Sequence, residues 1–434
     1  MAEMVINTTS SSGNKTSTDN MYRYKLIITT LLGLLGLAGM PIGHTQSLED
    51  YYRIAAESNP GLQARYKAFE ASLQKAAQAK ALPDPMLSMG VFLAPVETRV
   101  GPQQAKFSLT QQFPWFGTLS AQNEVAAALA EVKYQEFLDA RNQLYYQVAL
   151  AYYPFYEWKE WKMLEDENII LLESFKALAT TKFRNGKGTM VDVLRVDIML
   201  KEAQTNLDIL NKKENALRSC FNAILNRSWE EEVVVKDTLE ATLLIDYSKD
   251  SLLEGNPVLD IINAKVKASE AGIQVAQKQA LPKFGVGLDY VMVGKRDDMD
   301  LPDNGKDVWM PMVSVSIPFF SKKYQAQQEE AKLLTESYRL QKEEVKNQLF
   351  GNYHRLYFQL EQQQDLLVLY EQQIQESEQI LNLLFTAYSN SGKDFEEVLR
   401  VQQQLLLLQK KQVSTLVEWN VLKAQLEFII LGGS

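Results

Sequence analysis

Two stretches of this sequence are almost free of the residues that break helices. Residues 118–183 contain no glycine and one proline, Pro154, and residues 321–388 contain Gly351 and no proline. Each stretch has about 65 residues, so an unbroken helix over it would be roughly 100 Å long. Helices of globular proteins average about 11–12 residues. The chain is therefore predicted to be built around two very long helices, with a kink or a lost hydrogen bond at Pro154.

The second stretch also has the spacing of a coiled coil. Its apolar and aromatic residues recur at intervals of three and four, which is typical of a helix-packing seam. The seam consists of Val345, Leu349, Leu356, Leu360, Leu367, Tyr370, Ile374, Leu381, Leu384 and Tyr388. A short glycine-bearing turn follows each stretch, at 183–189 and 388–394, and an amphipathic segment follows each turn, at about 190–226 and 395–430. The sequence thus predicts two hairpins of antiparallel helices.

The two halves of the chain repeat each other. Four short motifs recur in the same order, with an offset that grows only from 197 to 205 residues. They are Glu57-Ser58-Asn59-Pro60 with Glu254-Gly255-Asn256-Pro257, Ala81-Leu82-Pro83 with Ala280-Leu281-Pro282, Phe113-Pro114-Trp115-Phe116 with Ile317-Pro318-Phe319-Phe320, and Val193-Leu194-Arg195-Val196 with Val398-Leu399-Arg400-Val401. The predicted organisation is a leader over 1–45, a first repeat over 46–226, an inter-repeat segment of mixed structure over 227–255, and a second repeat over 256–434.

Each repeat begins with a helix and continues with two alternating segments. The first helices are predicted over about 48–81 and 257–280, and both end at Leu-Pro. Apolar residues then alternate with small or polar ones, which is the period-two pattern of a strand with one apolar face. The apolar positions are Leu87, Met89, Val91, Leu93, Phe107 and Leu109 in the first repeat, and Phe284, Val286, Leu288, Tyr290, Met292, Val313, Val315 and Ile317 in the second. Polar loops are expected at 94–105 and 294–308.

An alternating strand fits either a soluble sheet with one buried face or a sheet in a membrane. Each segment has about 8–10 residues, near the length that a tilted strand needs to cross a bilayer. Aromatic residues also cluster where strand gives way to helix, as they do at membrane interfaces. These residues are Phe113, Trp115, Phe116, Phe319 and Phe320. Together with an export signal, the clusters favour the membrane.

The N-terminal residues have the features of such a signal. Arg23 and Lys25 precede an apolar run over 26–40, which at about 15 residues is shorter than the ~20 of a spanning helix. Small and turn-forming residues follow the run, as expected before a cleavage site. The mature chain is therefore expected to begin near Gln46, and a buried helix or a membrane anchor is the alternative.

Composition excludes several classes of protein. The formal net charge is −9, whereas a nucleic-acid binder needs a basic patch. One cysteine, Cys220, and two histidines give neither a disulfide framework nor a metal centre built from these residues. The acidic loop over 294–308 lacks the spacing of an EF-hand. No nucleophile–base pair or phosphate-binding loop stands out, so neither enzymatic activity nor a cofactor is predicted.

Four membrane strands do not close a barrel. An open sheet edge in lipid leaves unpaired amides that cost several kcal/mol each, and about eight strands make the smallest bacterial barrel. The chain is therefore expected to share a barrel with copies of itself, usually in a closed ring. The small residues on one strand face suit a shared lumen, which the long hairpins would continue beyond the membrane.

With these features the sequence resembles the TolC-like outer-membrane efflux proteins, or outer-membrane factors. The resemblance rests on the duplicated order, on Leu-Pro after each first helix, on Pro-aromatic pairs between strand and long helix, and on the tip segments 183–193 and 388–398. It implies an α+β membrane protein, with four transmembrane strands per protomer, whose homotrimer forms a 12-stranded barrel in outer-membrane lipid and an α-helical tunnel across the periplasm. It also implies a passive exit duct that docks with a periplasmic adaptor (a membrane fusion protein) and, through it, with an RND-type or ABC-type inner-membrane pump.

The resemblance also assigns roles at the helix tips. Adaptor contacts are implied for Arg184, Asn185, Gly186, Gly188, Thr189, Asn390, Ser391 and Gly392. Asp192 and Glu397 match between the repeats, so three copies would place a ring of carboxylates at an entrance constriction, and such rings favour cations. The alternative is that acidic residues stabilise the first turn of a helix through its macrodipole. Arg195 and Arg400 match as well, either as ion-pair partners in a closed tip or as solvated surface.

Other functions compatible with the sequence differ in cargo or in class. The chain also suits the outer-membrane component of a type I protein secretion system. Methionines near the strands suggest a heavy-metal cation efflux system, although methionine is also common apolar filler. An exported coiled-coil structural protein with a small sheet is the alternative outside transport.

Overall fold

The computed structural model describes residues 47–235, 238–242, 253, 255–298, 302–319, 321–391 and 395–430. The predicted leader and two of the predicted site residues, Phe320 and Gly392, lie outside these ranges. Within the described residues, no helix combines the length and the apolar character needed to cross a membrane.

The first repeat begins with two helices, α1 (Leu48–Ser58) and α2 (Pro60–Gln78). The single helix predicted over 48–81 is therefore wrong at Asn59. The Asn59 side-chain oxygen caps α2 by accepting a hydrogen bond from the Leu62 amide at 3.1 Å. Pro60 has no amide with which to continue α1, and its fixed φ suits the first position of a new helix.

Two strands follow, β1 (Met86–Thr98) and β2 (Gly101–Phe113). The loop predicted at 94–105 is therefore wrong, because the strands continue until only residues 99 and 100 form the turn. Pro95 is tolerated since the pairing of β1 with β2 is irregular between Val91 and Val96, and a bulge or an edge strand accommodates a residue without an amide.

The long helix of the first repeat is α3 (Thr118–Arg184), and the returning helix is α4 (Met190–Ile224). Both match the predicted bounds closely, and α3 continues through Pro154. Thr189 ends the turn between them, and its side-chain oxygen accepts a hydrogen bond from the Asp192 amide at 3.2 Å. The first helical hairpin is thus confirmed.

The second repeat has the same order without a break in its first helix. It consists of α5 (Pro257–Gln279), β3 (Lys283–Val293), β4 (Val308–Ser316), α6 (Ser321–Ser391) and α7 (Phe395–Ile430). The turn predicted over 388–394 is too long, because α6 continues to Ser391. All ten predicted seam residues of α6 are buried or half-buried, which confirms the packing face.

The four strands form one antiparallel sheet in the order β1-β2-β3-β4. Leu87 pairs with Leu109, Leu109 with Leu288, and Leu288 with Pro311. The first and last strands therefore lie at the two edges of the sheet, and the two repeats meet at its centre.

The helices form a layer in which α3 contacts helices of both repeats. Near the sheet, α3 packs between α2 and α5, and α5 packs against α6. Towards the tips, α3 packs between α4 and α7, and α7 packs against α6. The helix order is thus α2-α3-α5-α6 near the sheet and α4-α3-α7-α6 towards the tips. In both rows α6 is the last helix on one side.

The buried core is divided among three clusters along the helices. The first surrounds Tyr51, Tyr152 and Phe221, where α1 meets α3 and α4. The second lies near the tips and joins both repeats through residues such as Phe175 and Phe395. The third lies between α6 and α7 and consists of Tyr353, Leu356, Leu360, Trp419, Leu422, Leu426 and Ile430.

The Asn-Pro pair closes each repeat on itself. Asn59 caps α2 with its side-chain oxygen, and its amide group donates to the Ile224 carbonyl at the end of α4, at 3.0 Å. Asn256 does the same in the second repeat, since its oxygen accepts from the Val258 amide and its amide donates to the Ile429 carbonyl at 2.8 Å. The recurrence of this motif is thus explained by one side chain that satisfies a helix start and a helix end.

The inter-repeat segment packs on the first cluster. Its described residues contain no helix or strand, and the mixed subdomain over 227–255 stays a prediction because residues 236–237, 243–252 and 254 lie outside the described ranges. The Tyr51 hydroxyl accepts a hydrogen bond from the Val234 amide at 3.0 Å and donates to the Val234 carbonyl at 3.3 Å. Val233, Val235 and Leu239 pack against the same cluster, so the described parts of this segment lie on the core around α1.

Candidate functional site

One face of the sheet is apolar and exposed across all four strands. Cross-strand partners point to the same side of a sheet, so the paired apolar residues form one continuous surface. Its exposed members include Leu87, Met89, Val91, Leu109, Phe113, Val286, Leu288, Met292, Trp309, Val313 and Val315. A surface of this kind marks contact with lipid or with another chain.

The opposite face carries small and charged residues. The Ser314 side chain occupies the space that a Cβ on Gly285 would need, and the Thr110 hydroxyl lies close to Gly287. On the same face the Lys106 ammonium pairs with the Asp289 carboxylate, which is fully buried. Groups that form hydrogen bonds and ion pairs suit a face towards water, as the alternation predicts.

Aromatic residues mark the end of the sheet nearest the helices. Phe113 is the last residue of β2 and pairs with Phe284 of β3. The Trp115 ring stacks on Phe284, with the ring centroids 5.4 Å apart. Phe116 and Phe319 are each 82% exposed. This arrangement fits a boundary between hydrocarbon and water.

The helical layer also ends in an open side. Large apolar side chains are exposed along α6, the last helix of both rows. They are Leu333, Leu334, Leu340, Phe358, Val368, Leu369, Ile380 and Leu383. The sheet and the helical layer thus both present unpaired edges and exposed apolar groups.

The turn at the first tip holds its predicted residues on an exposed end. Arg184 is the last residue of α3, and Asn185 caps it. Gly186 has a φ of 70°, a left-handed conformation that favours glycine, and its amide donates to the Phe183 carbonyl at 3.0 Å. Gly188 packs against the start of the turn, and a Cβ there would lie 3.1 Å from that of Lys182.

The second tip lies beside the first. The Lys182 ammonium donates a hydrogen bond to the Ser389 carbonyl at 3.1 Å and lies 4.9 Å from the centroid of the Tyr388 ring. Asn390 and Ser391 belong to the last turn of α6 rather than to a loop. The structure thus brings the described tip residues of both repeats to one end.

Asp192 and Glu397 are both engaged within their own helices. The Asp192 carboxylate accepts from the Thr189 amide at 3.1 Å and completes a capping box at the start of α4. Glu397 pairs with Arg400 one turn along α7. These local contacts fit the alternative that both carboxylates stabilise their helices, and the ring of carboxylates stays a prediction. Between the repeats, the ion pair at the tip joins Arg195 to Glu396, the residue before Glu397.

An aromatic cluster fills the space behind the tips. Tyr388 stacks on Phe395, with ring centroids 4.3 Å apart, and Phe175 stacks on Phe385 at 5.3 Å. Burial, together with the nearby Asp192 carboxylate, raises the pKa of Tyr388 to about 12. The phenol therefore stays neutral at physiological pH, and the tips of the two repeats share one apolar core.

Asp197 ties the two helices of the first hairpin. Its carboxylate lies 2.5 Å from the Lys176 ammonium and 2.7 Å from that of Lys201. The bonds to these two lysines lower the pKa of Asp197 from 3.8 to about 2. A carboxyl group whose pKa is lower in the folded chain than in the unfolded chain stabilises the folded state at any pH above its unfolded pKa. This contribution from Asp197 is therefore lost as the pH falls from about 4 towards 2.

A buried polar stripe on α3 was not anticipated from the sequence. Glu165 is fully buried and pairs with Lys410 of α7, and the Asn206 amide of α4 donates to the same carboxylate at 3.3 Å. One turn further along α3, the Asn168 side-chain oxygen accepts a hydrogen bond from the Gln402 amide at 3.2 Å. Glu157, Trp161, Glu165 and Asn168 recur at intervals of four, four and three. This helical spacing places the four residues on one face of α3. The spacing alone does not predict burial, because a polar face of a helix is usually exposed to solvent.

The sequence of the second repeat matches a known family. The sequence model of the family described as "Outer membrane efflux protein" matches residues 249–429. No curated protein matches the chain.

Solved outer-membrane channels have a similar fold. The outer-membrane channel OprN has a TM-score of 0.71 and 17% identity, with 89% of this chain and 90% of that chain covered. VceC from Vibrio cholerae has a TM-score of 0.71 and 16% identity, with 88% and 95% covered. The open-state MtrE channel of Neisseria gonorrhoeae has a TM-score of 0.72 and 17% identity, with 89% of both chains covered. The matches confirm the resemblance that the sequence indicated, and the family match is to a transport family rather than to an enzyme class.

Proposed function

We propose that this chain, a TolC-like outer-membrane efflux protein, works as a homotrimeric exit duct of a tripartite pump. Three copies of the sheet form a 12-stranded barrel in the outer membrane, and three copies of the helical layer form a tunnel in the periplasm. Cargo enters at the helix tips from an inner-membrane pump and a periplasmic adaptor, and it leaves through the barrel.

The observation that carries this proposal is the open edge of both layers. The β1 and β4 edges and the side of α6 lie on the outside of a single chain, together with exposed apolar groups. Unpaired strand edges are costly in lipid, and a closed ring of identical chains pairs every edge with another. One cyclic arrangement thus satisfies the sheet and the helical layer together.

The two faces of the sheet support the direction of the proposed barrel. The apolar face with Leu288 and Val313 suits lipid, and the face with Lys106, Asp289 and Ser314 suits an aqueous lumen. Alternation of this kind is the general pattern of outer-membrane strands.

The trimer is tested with protein extracted from outer membranes. Light scattering of the detergent-solubilised protein is expected to give a mass three times that of one chain, and planar bilayers are expected to show discrete channel conductance. Heat-dissociated chains serve as the control without conductance. A monomer, or recovery in the aqueous fraction without detergent, would contradict the proposal and favour a structural coiled-coil protein.

Gly186→Pro tests the proposed contact between the tips and an adaptor. Proline cannot adopt the φ of 70° found at this position, and it removes the amide that binds the Phe183 carbonyl. Efflux by cells that contain the adaptor and the pump is expected to fall to the level of cells without the duct. The trimer is expected to persist, because the turn lies at the far end of the hairpin. Gly186→Asn, which tolerates a left-handed conformation, is the matched control and should retain efflux; loss of the trimer in Gly186→Pro would contradict the assignment.

A further inference from the structure

Two helices form the outer sides of the helical layer towards the tips. The helix order there is α4-α3-α7-α6, so α3 covers one side of α4 and α7 covers one side of α6. Val196 and Leu200 of α4 are buried on the side towards α3, and Leu360 and Tyr388 of α6 are buried on the side towards α7. The opposite sides of α4 and α6 both face away from the layer.

The outward side of α4 carries an apolar stripe that ends in a lysine. Leu194, Ile198 and Ile209 are each more than half exposed, and Lys212 is exposed as well. At 3.6 residues per turn, these four residues lie within about 60° of one another around the helix. A stripe of exposed apolar residues on one side of a helix indicates a contact with another chain.

The outward side of α6 carries the same pattern in the reverse direction of the chain. Leu383, Ile380 and Leu369 are exposed, Asp365 is exposed as well, and the four also lie within about 60° around their helix. Read from the tip, each stripe has two apolar residues, a third apolar residue 11 positions further on, and then a charged residue. The spacing of one stripe therefore fits that of the other.

The charges of the two helices are complementary. Between 356 and 391, α6 has five carboxylates and no lysine or arginine. The outward side of α4 has two exposed lysines, Lys201 and Lys212, and one exposed carboxylate, Glu202. Lys201 already pairs with Asp197 of its own helix, whereas the printed sequence offers Lys212 an acidic partner of opposite sign on α6. Complementary charges favour one partner and one register over others.

The direction of the two helices allows the stripes to meet between copies. The chain enters α4 at the tip and leaves α6 at the tip, and the Lys182 ammonium joins both tips by its hydrogen bond to the Ser389 carbonyl. In a closed ring each copy is related to the next by a rotation, which keeps all tips at one end. The α4 helix of one copy would therefore run antiparallel to the α6 helix of the next.

We propose that the outward side of α4 packs against the outward side of α6 of the next copy in one specific register. The facing pairs are Leu194 with Leu383, Ile209 with Leu369, and Lys212 with Asp365. Leu194 and Lys212 are 18 residues apart, and so are Leu383 and Asp365, so one antiparallel register satisfies both ends. The proposal rests on the proposed function in one respect, which is that identical copies close into a ring.

Disulfide formation between copies tests this register. Cys220, the exposed natural cysteine, is first replaced by serine in the full-length chain. Leu194→Cys with Leu383→Cys is then oxidised in isolated outer membranes, and so is Ile209→Cys with Leu369→Cys. Because every copy would be linked to both neighbours, each pair is expected to shift the non-reduced band from the mass of one chain to that of three. Within one chain α3 and α7 separate the two helices, so the link joins different copies.

The matched control uses the same four positions with the partners exchanged. Leu194→Cys with Leu369→Cys, and Ile209→Cys with Leu383→Cys, place the thiols about 21 Å apart along the helices, whereas a disulfide needs Cα atoms within about 7 Å. No linked band is expected from either exchanged pair. All four side chains are exposed in the single chain, so their replacement should leave its fold intact. Linking by the exchanged pairs as efficient as that by the proposed pairs would overturn the register.

Reversal of one ion pair tests the polar part of the contact. Lys212→Asp places two carboxylates together and is expected to reduce the fraction of heat-resistant trimer, and Asp365→Lys added to it should restore that fraction. An exposed ion pair changes an equilibrium by a factor of up to about five, and a ring of three copies contains three such pairs. A double variant with less trimer than Lys212→Asp alone would contradict the pairing.

Light scattering of the same samples separates this proposal from the proposed function. A trimer that forms neither of the two proposed disulfides would overturn the α4–α6 contact while leaving the trimeric duct intact, and the outward side of α4 would then be open to another partner such as the adaptor. A protein that is monomeric before oxidation would overturn both.

Discussion

Val313→Lys is expected to destabilise the folded protein in lipid by about 2–4 kcal/mol per protomer, because it places an ammonium on the strand face that we propose contacts lipid. Val313 lies near the middle of β4, is 78% exposed, and belongs to the apolar face. The side chain has no nearby water to reach if that face contacts hydrocarbon. Denaturant titration of the protein refolded into lipid vesicles measures the change, and the fraction of heat-resistant trimer in outer membranes measures its effect on assembly.

Ser314→Lys is the matched control for this prediction. Ser314 is the next residue on β4 and points to the opposite face, beside Gly285. A lysine there reaches the proposed lumen, so the stability should change little. If both lysines cost the same, the assignment of the two faces is wrong. If only Ser314→Lys lowers the stability, the face with Ser314 contacts lipid and the face with Val313 lines the lumen.

Lys410→Met is expected to cost about 3–5 kcal/mol, since it leaves a buried carboxylate without its counterion. Glu165 is fully buried, and its other described partner is the Asn206 amide at 3.3 Å. One weak hydrogen bond does not offset the loss of an ammonium in a water-poor interior. Denaturant unfolding of the detergent-solubilised protein measures the free energy of unfolding.

Two controls separate the buried pair from a general effect of removing lysine. The double variant Glu165→Met, Lys410→Met removes both charges and is expected to recover most of the lost stability, as buried ion pairs exchanged for apolar groups commonly do. Lys346→Met breaks an exposed pair with Glu343 within α6 and should change stability hardly at all. A double variant as unstable as the single one would show that the stripe has a role other than charge compensation.

Most of the fold followed from periodicity and from chain breakers. The long helices α3 and α6 were predictable because 65 residues without effective breakers permit few alternatives. The wrong predictions occurred where one type of residue, proline, is compatible with two different local structures. Pro60 begins a helix although proline usually ends one, and Pro95 lies in a strand because the pairing is irregular there. A single sequence does not show which neighbour strand or helix a proline will meet.

The candidate site was predictable in its location but not in its contacts. The small residues and glycines of the first tip indicated a turn, and the turn at Gly186 is where they placed it. The pairing of Arg195 with Glu396 and of Lys182 with the Ser389 carbonyl joins two segments about 200 residues apart, a distance over which local spacing carries no information. The stripe around Glu165 was missed for the same reason, because its burial depends on α4 and α7 packing over it.

The hydrogen bonds of Asn59 and Asn256 bring the two ends of each repeat side by side, although the tips lie far away. A polypeptide whose ends adjoin can be joined to a second copy through a short connection without disturbing either fold. Its chain can also be cut at another surface turn, so that different residues become the first and the last. A chain opened within the turn at 185–189 keeps every strand whole, because the four strands lie outside that turn.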